Sequence, residues 1–221
     1  MGKQGSAAGP WRMATRWATA GFATAGLAAV LSAGAVSPAW AAASPVPSVP
    51  AALPVKACPS LLDHVFPDLI TGKPVSLCQF RGKVLLVVNT ASECGFTPQY
   101  EQLEAMHRKL SPRGLVIVGF PSNDFQQERG SSREIAEFCK LNYGVSFPMF
   151  EPSGVSGRRA NPFYAELSRR SGTPPGWNFH KSLVDRGGDR VQSFPTAMRP
   201  DDPKLVREIE RLLANAPGGG R

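Results

Sequence analysis

Histidine is scarce in this 221-residue chain, with three residues, His64, His107 and His180, spaced far apart. No C-x-x-C, H-x-x-x-H or clustered carboxylates accompany them, so a metal centre has no obvious ligand set. Acidic residues are in the minority, 17 against 25 lysines and arginines, for a formal charge of +8. The basic residues are scattered apart from the pairs Arg158-Arg159 and Arg169-Arg170, and no basic stripe is interleaved with aromatics. That argues against a nucleic-acid partner and leaves a weak bias toward anionic partners or a membrane surface. Internal repeats are missing. Long apolar runs are also missing, except one at the N-terminus.

That exception reads as a leader. Lys3, Arg12 and Arg16 precede a small-residue apolar run from Ala18 to Val36, and Ala39-Trp40-Ala41 and Ala41-Ala42-Ala43 are both A-x-A patterns. This is the pattern of a bacterial secretory signal peptide over residues 1–43, without the adjacent arginines of the twin-arginine route. It implies export, to the periplasm or beyond. An uncleaved membrane anchor is the alternative, since the run approaches the ~20 residues that span a bilayer. Cleavage would leave 22 basic and 17 acidic residues, or +5, and Trp177 as the sole tryptophan. Residues 44–54 hold four prolines and read as an extended linker. Residues 215–221 read as a disordered Gly/Pro tail. The remaining span, 55–214, is enough for one domain.

Within it, hydrophobic periodicity predicts an α/β fold with a mixed sheet. Phe66 to Leu77 alternates around Gly72-Lys73-Pro74 as a hairpin. Val84 to Val88 is a continuous apolar run and reads as a central strand, with Leu115 to Val118 a second. Leu103, Met106 and Leu110 mark a helix for which Thr97 would be the N-cap and Pro98 the first residue. Ser131 to Glu134 is a capping box opening another helix. Phe147 to Phe150 reads as a short strand, Asn161-Pro162 as the start of a helix, and Leu183 to Asp185 with Val191 to Phe194 as a hairpin. Asp202-Pro203 opens a last helix with Leu205, Val206, Ile209, Leu212 and Leu213 on one face.

Cys94 falls between the central strand and the first of these helices, in Asn89-Thr90-Ala91-Ser92-Glu93-Cys94-Gly95-Phe96-Thr97-Pro98-Gln99-Tyr100. Free N–H groups and the helix dipole favour an anion at such a place, the setting in which cysteines become nucleophilic. Thr97 stands where a redox C-x-x-C would have its second cysteine, so no neighbour in the motif can close a disulfide. The other reading of Cys94 is a small buried hydrophobe.

Three further segments, Gly119 to Glu128, Trp177-Asn178-Phe179, and Lys181 with Leu183-Val184-Asp185-Arg186, follow in order. Together with Asn89 to Tyr100 they resemble the signature blocks of the glutathione peroxidase family, over about 150 residues. The resemblance implies a thioredoxin-like fold and the reduction of hydrogen peroxide and organic or lipid hydroperoxides. It implies a catalytic tetrad of Cys94, Gln127, Trp177 and Asn178, whose amides and indole N–H can donate to the sulfur without adding a competing base. It also implies a resolving role for Cys139, which would attack the sulfenic acid at Cys94 and close a disulfide. A thioredoxin-like dithiol protein or glutathione would then restore the thiols, with no bound cofactor and no metal. Two positions depart from the family pattern, Ser122 for Cys and Asp124 for Gln. The charge of Asp124 would oppose a thiolate if it lay near the cleft. The chain also lacks a long insertion between Phe150 and Asn161, which points to a monomer with an open site.

Cys58 and Cys78 flank the hairpin. In an oxidising compartment an even remainder of two reads as a structural disulfide, stabilising by roughly 3 kcal/mol in the chain-entropy model. Two independent buried thiols are the alternative. Two other functional readings stay open. One is a thiol–disulfide oxidoreductase or redox sensor on the same fold. The other is a secreted binding module without chemistry.

Overall fold

The computed structural model of the chain describes residues 57–128 and 130–215. The leader, the linker and the tail beyond residue 215 lie outside them. Two short antiparallel strands, β1 (Val65–Pro67) and β2 (Pro74–Ser76), form the expected hairpin. The central strand β3 (Val84–Thr90) is buried along its whole length. Helix α1 (Gln99–Leu110) leads to β4 (Leu115–Pro121), then come α2 (Ser132–Tyr143), α3 (Pro162–Ser171), β5 (Lys181–Val184), β6 (Val191–Phe194) and α4 (Pro203–Ala214). The main sheet runs β4-β3-β5-β6. β4 is parallel to β3, while β5 and β6 are antiparallel to their neighbours. The architecture is α/β with a mixed sheet and a thioredoxin-like order of strands and helices.

Alternation along β3 divides the interior. Val84, Leu86 and Val88 face one core with Leu103 and Met106 of α1, Ile135 of α2 and Leu205, Ile209 and Leu212 of α4. Leu85 and Val87 face the other, with Phe163, Tyr164 and Leu167 of α3. A strand covered on both faces has to be apolar at every position, which explains the unbroken run. Each such side chain contributes on the order of 1.5–3 kcal/mol by leaving water. Three helices are capped as their sequences indicate. Ser131 and Glu134 form the reciprocal box of α2, Asn161 accepts from the Tyr164 N–H at α3, and Asp202 accepts from the Lys204 N–H at α4.

Two expectations need correcting. Phe147 to Phe150 is not a strand. It makes isolated bridges only, Met149 to Gly119 and Phe150 to Asp68. Pro148 has no N–H to continue a ladder. Thr97 is not the N-cap of α1 either. The cap position is Pro98, and no side chain caps that end. The Thr97 hydroxyl is used one turn earlier, inside the loop that carries Cys94.

Candidate active site

The loop between β3 and α1 is held by one buried hydroxyl. Thr97 Oγ1 accepts from the Cys94 N–H at 3.0 Å and donates to the Ala91 carbonyl at 2.9 Å. The residue in the second-cysteine position therefore fixes the backbone of the first. Cys94 is 6 % exposed, and the Phe96 N–H points at its sulfur from 3.4 Å. This is an N–H donor to sulfur supplied by the turn itself, and it is worth most where water is scarce. Beside the loop lies an open cleft of about 400 Å³ lined by Gly95, Phe96, Gln99 and Arg199 among others.

The segment after β4 packs against this loop. The Glu93 N–H donates to the Gln127 carbonyl at 3.0 Å, which seats Gln127 next to the residue preceding Cys94. Glu128 Oε1 accepts from both the N–H and the hydroxyl of Ser92. The segment before β5 completes the group. Asn178 is fully buried, and its Nδ2 donates to Gln127 Oε1 at 3.0 Å. Trp177 is 41 % exposed, with its ring 5.3 Å from that of Phe125. Asn89, at the end of β3, binds this segment twice. Its Nδ2 donates to the Trp177 carbonyl and its own carbonyl accepts from the Phe179 N–H.

Two residues with left-handed backbone flank the two amides. Gln126 has φ 58° and Phe179 has φ 60°, the only such non-glycine residues among those described. Non-glycine residues held there cost of order 1 kcal/mol or more and persist where surrounding contacts over-determine them. Cys94, Gln127, Trp177 and Asn178 are thus gathered at the carboxyl end of β3 by three loops tied to one another.

Cys139 is placed differently. It lies on α2, 2 % exposed, against the hydroxyl of the fully buried Tyr100. Burial pushes its thiol up to about 11, an effect that the Tyr100 hydroxyl partly offsets. Cys94 and Cys139 are both free thiols, while Cys58 and Cys78 are joined in a disulfide with their Cα atoms 5.5 Å apart. Among the described residues the cluster with metal-ligand spacing is Cys58, Asp63 and Cys78, and its two sulfurs are bonded to each other.

Asp124 is hydrogen-bonded to the segment that follows Pro152. Its Oδ2 accepts from the Val155 and Ser156 N–H groups at 2.7 and 2.9 Å, and its Oδ1 lies 3.4 Å from Arg159. The carboxylate is spent on anchoring the 153–159 segment. Ser122 is fully buried, and its hydroxyl accepts from the Asp124 N–H. Sequence reasoning missed Asn89, the loop role of Thr97, and Thr196, whose hydroxyl donates to the Asn178 carbonyl. A polar residue ending an otherwise apolar buried strand was the available signal for Asn89.

A family model described as glutathione peroxidase matches residues 64–168. A hydroperoxy fatty acid reductase of Synechocystis sp. is 45 % identical over 160 residues, spanning 66 % of this chain and 92 % of that protein. A glutathione peroxidase-like peroxiredoxin 2 of Saccharomyces cerevisiae is 44 % identical over 149 residues, spanning 65 % and 91 %. Among solved structures, one of Trgpx in its apo form superposes with a TM-score of 0.57 at 31 % identity, covering 72 % of this chain and 99 % of that one. A dsbF from MTB superposes at 0.51 with 16 % identity over 71 % of this chain and 99 % of that one, a likeness of fold alone.

Proposed function

Because this chain belongs to the glutathione peroxidase family, we propose that it is a thiol peroxidase whose reacting group is Cys94. The Cys94 sulfur attacks the terminal oxygen of a hydroperoxide. The O–O bond breaks, the sulfur becomes a sulfenic acid, and the other oxygen takes a proton and leaves as water or alcohol. Gln127, Trp177 and Asn178 provide donors for the sulfur and the departing oxygen. The observation that carries this reading is the tie between the two amides and the Cys94 loop, with Asn178 on the Gln127 side chain and Gln127 on the Glu93 N–H.

Cys139 is the proposed resolving thiol. Its attack on the sulfenic sulfur forms an S–S bond and releases the oxygen as water. A dithiol protein of the thioredoxin kind then returns both thiols by two exchange steps, and a small thiol such as glutathione is the alternative reductant. Organic hydroperoxides suit the setting, since Phe96 and Trp177 are both more than a third exposed. A hydroperoxy fatty acid is the substrate named for one relative. The leader at 1–43, export, the domain limits 55–214 and a monomeric state complete the proposal. A pure disulfide exchanger is disfavoured because the hydroxyl at Thr97 already serves Cys94 and Ala91.

The test is one equivalent of hydroperoxide added to the reduced chain, with cysteines mapped by non-reducing peptide mass spectrometry. A Cys94–Cys139 link is the expected product. Sulfenic acid at Cys94 with Cys139 free would keep the peroxidase and turn the reductant toward a small thiol. An unmodified Cys94 would sink the proposal.

A further inference from the structure

Lys181 opens β5 and pairs with Val88 of β3 and Phe194 of β6. It shares the face of Leu183, toward α1 and α4. Its side chain is completely buried, and among the described residues no carboxylate pairs with it. The ammonium instead donates to three neutral acceptors, Gln99 Oε1, the Thr196 carbonyl at 3.3 Å and the Met198 carbonyl at 2.6 Å. Three acceptors match the three N–H bonds of an ammonium, whereas a neutral amine offers two. An unpaired cation in a core costs several kcal/mol, and a methionine would fill similar space without that cost. The packing therefore does not explain a lysine here.

The acceptors belong to the segments that hold the candidate site. Gln99 is the first residue of α1, five after Cys94, and its Nε2 donates to the Thr196 carbonyl at 2.9 Å. The Thr196 hydroxyl donates to the Asn178 carbonyl at 2.8 Å, and the Asn178 amide rests on Gln127. A chain of hydrogen bonds runs from the buried ammonium to both amides of the site and to the helix that follows Cys94.

We propose that Lys181 is a positioning residue for the Cys94 site, its ammonium clamping the start of α1 to the 196–198 segment so that Asn178 and Gln127 stay in register with the thiol. The clamp works in full only with the proton on, since deprotonation removes one of the three hydrogen bonds that Lys181 donates. Burial draws this lysine down to about 7, which puts the change within reach of ordinary assay conditions. Its pairing partners Val88 and Phe194, and its acceptors from Gln99, Thr196 and Met198, bring no ionisable group to it. The titratable group coupled to it is His180, the preceding residue, which burial and the ammonium push down to about 4 and hold neutral. The inference rests on Cys94 being the peroxide-reactive thiol.

The experiment compares single-turnover oxidation of Cys94 by hydrogen peroxide in the parent chain and in Lys181→Met, from pH 6 to 9. Taking the ratio of the two rates at each pH removes whatever pH dependence the thiol itself brings. The parent should be faster by tenfold or more at pH 6, in the range that misplaced site groups cost. The ratio should fall toward one above pH 8. A ratio near one throughout, or a large ratio that does not change with pH, overturns the proposal. Should Lys181→Met fail to fold, Gln99→Glu decides. A carboxylate beside the ammonium holds its proton to higher pH, by 1–3 units for a close opposite charge. The rate of Gln99→Glu relative to the parent should therefore climb between pH 7 and 9, and a flat relative rate overturns the proposal. If Cys94 of the parent is not oxidised at all, the peroxidase reading itself fails. If it is oxidised normally while the ratios stay flat, only the role of Lys181 falls.

Discussion

Single residues carry the details that family likeness leaves open. At Asp124 the hydrogen bonds count alongside the charge. A carboxylate close to a reacting thiol would hold it back, but this one is turned into the 153–159 segment and occupied by two backbone N–H groups. Asp124→Asn should leave the rate of Cys94 oxidation within about twofold. It should lower stability by about 1.5–3 kcal/mol, the range for hydrogen bonds to a charged group. Stopped-flow peroxide kinetics alongside chemical denaturation separates the two effects, and a marked acceleration would show that the charge does reach the thiol. Thr97 teaches a related lesson. Threonine before proline at a helix start reads as a cap, but its hydroxyl is drawn to the unsatisfied N–H of Cys94 one turn earlier.

At the scale of elements, α2 poses the question for the proposed cycle. Cys139 is buried on the inner face of this helix, and burial holds its thiol protonated at neutral pH. Attack on a sulfenic acid requires a thiolate with access, so the helix must open before the disulfide can form. The capping box at Ser131 and Glu134 holds the first turn of α2. Replacing such a cap typically costs about 1 kcal/mol, equivalent to roughly fivefold in an opening equilibrium. Ser131→Ala should therefore speed disulfide closure severalfold while leaving the first oxidation of Cys94 unchanged. Quenched-flow trapping of the sulfenic acid reads both steps. Equal acceleration of the two, or of neither, would argue that α2 does not gate resolution.

The whole molecule responds through the disulfide and through buried titratable groups. Cys58 and Cys78 close a loop of separation 20 around the hairpin. Replacing both by serine should cost roughly 3 kcal/mol, or about 6–12 °C in Tm for a domain of this size. Differential scanning calorimetry of the two forms measures it. His180 supplies a pH dependence. Burial, then the Lys181 charge, lowers it from 6.5 to about 4 in the folded chain. Between those values the unfolded chain binds the extra proton, so this contribution to stability is full above pH 6.5 and is lost as pH falls toward 4. It amounts to at most about 3 kcal/mol. Ser193 Oγ lies 2.7 Å from His180 Nε2, and His180→Gln, which keeps a partner for that hydroxyl, should flatten denaturation midpoints across that window. An unchanged slope would assign the acid sensitivity to other groups.

The sequence by itself determined the class of fold and the place of Cys94. Two-fold and 3.6-fold periodicities depend only on neighbours along the chain. Thus the apolar run of β3, the capping box of α2 and the strand–Cys–helix order were legible, and four ordered blocks marked the family. The tertiary structure decided what depends on contacts across the chain. It set Phe147 to Phe150 as bridges rather than a strand, because a partner's register and Pro148 control that ladder. It bound Asp124 to the Val155 and Ser156 N–H groups and tied Asn89 to Trp177 and Phe179. It also buried Lys181 among acceptors from α1 and the segment after β6. A lysine in a strand pattern reads as solvated, since desolvating a charge is expensive. Only the assembled fold brings together the three oxygens that make burial tolerable, and they come from residues up to 82 positions away.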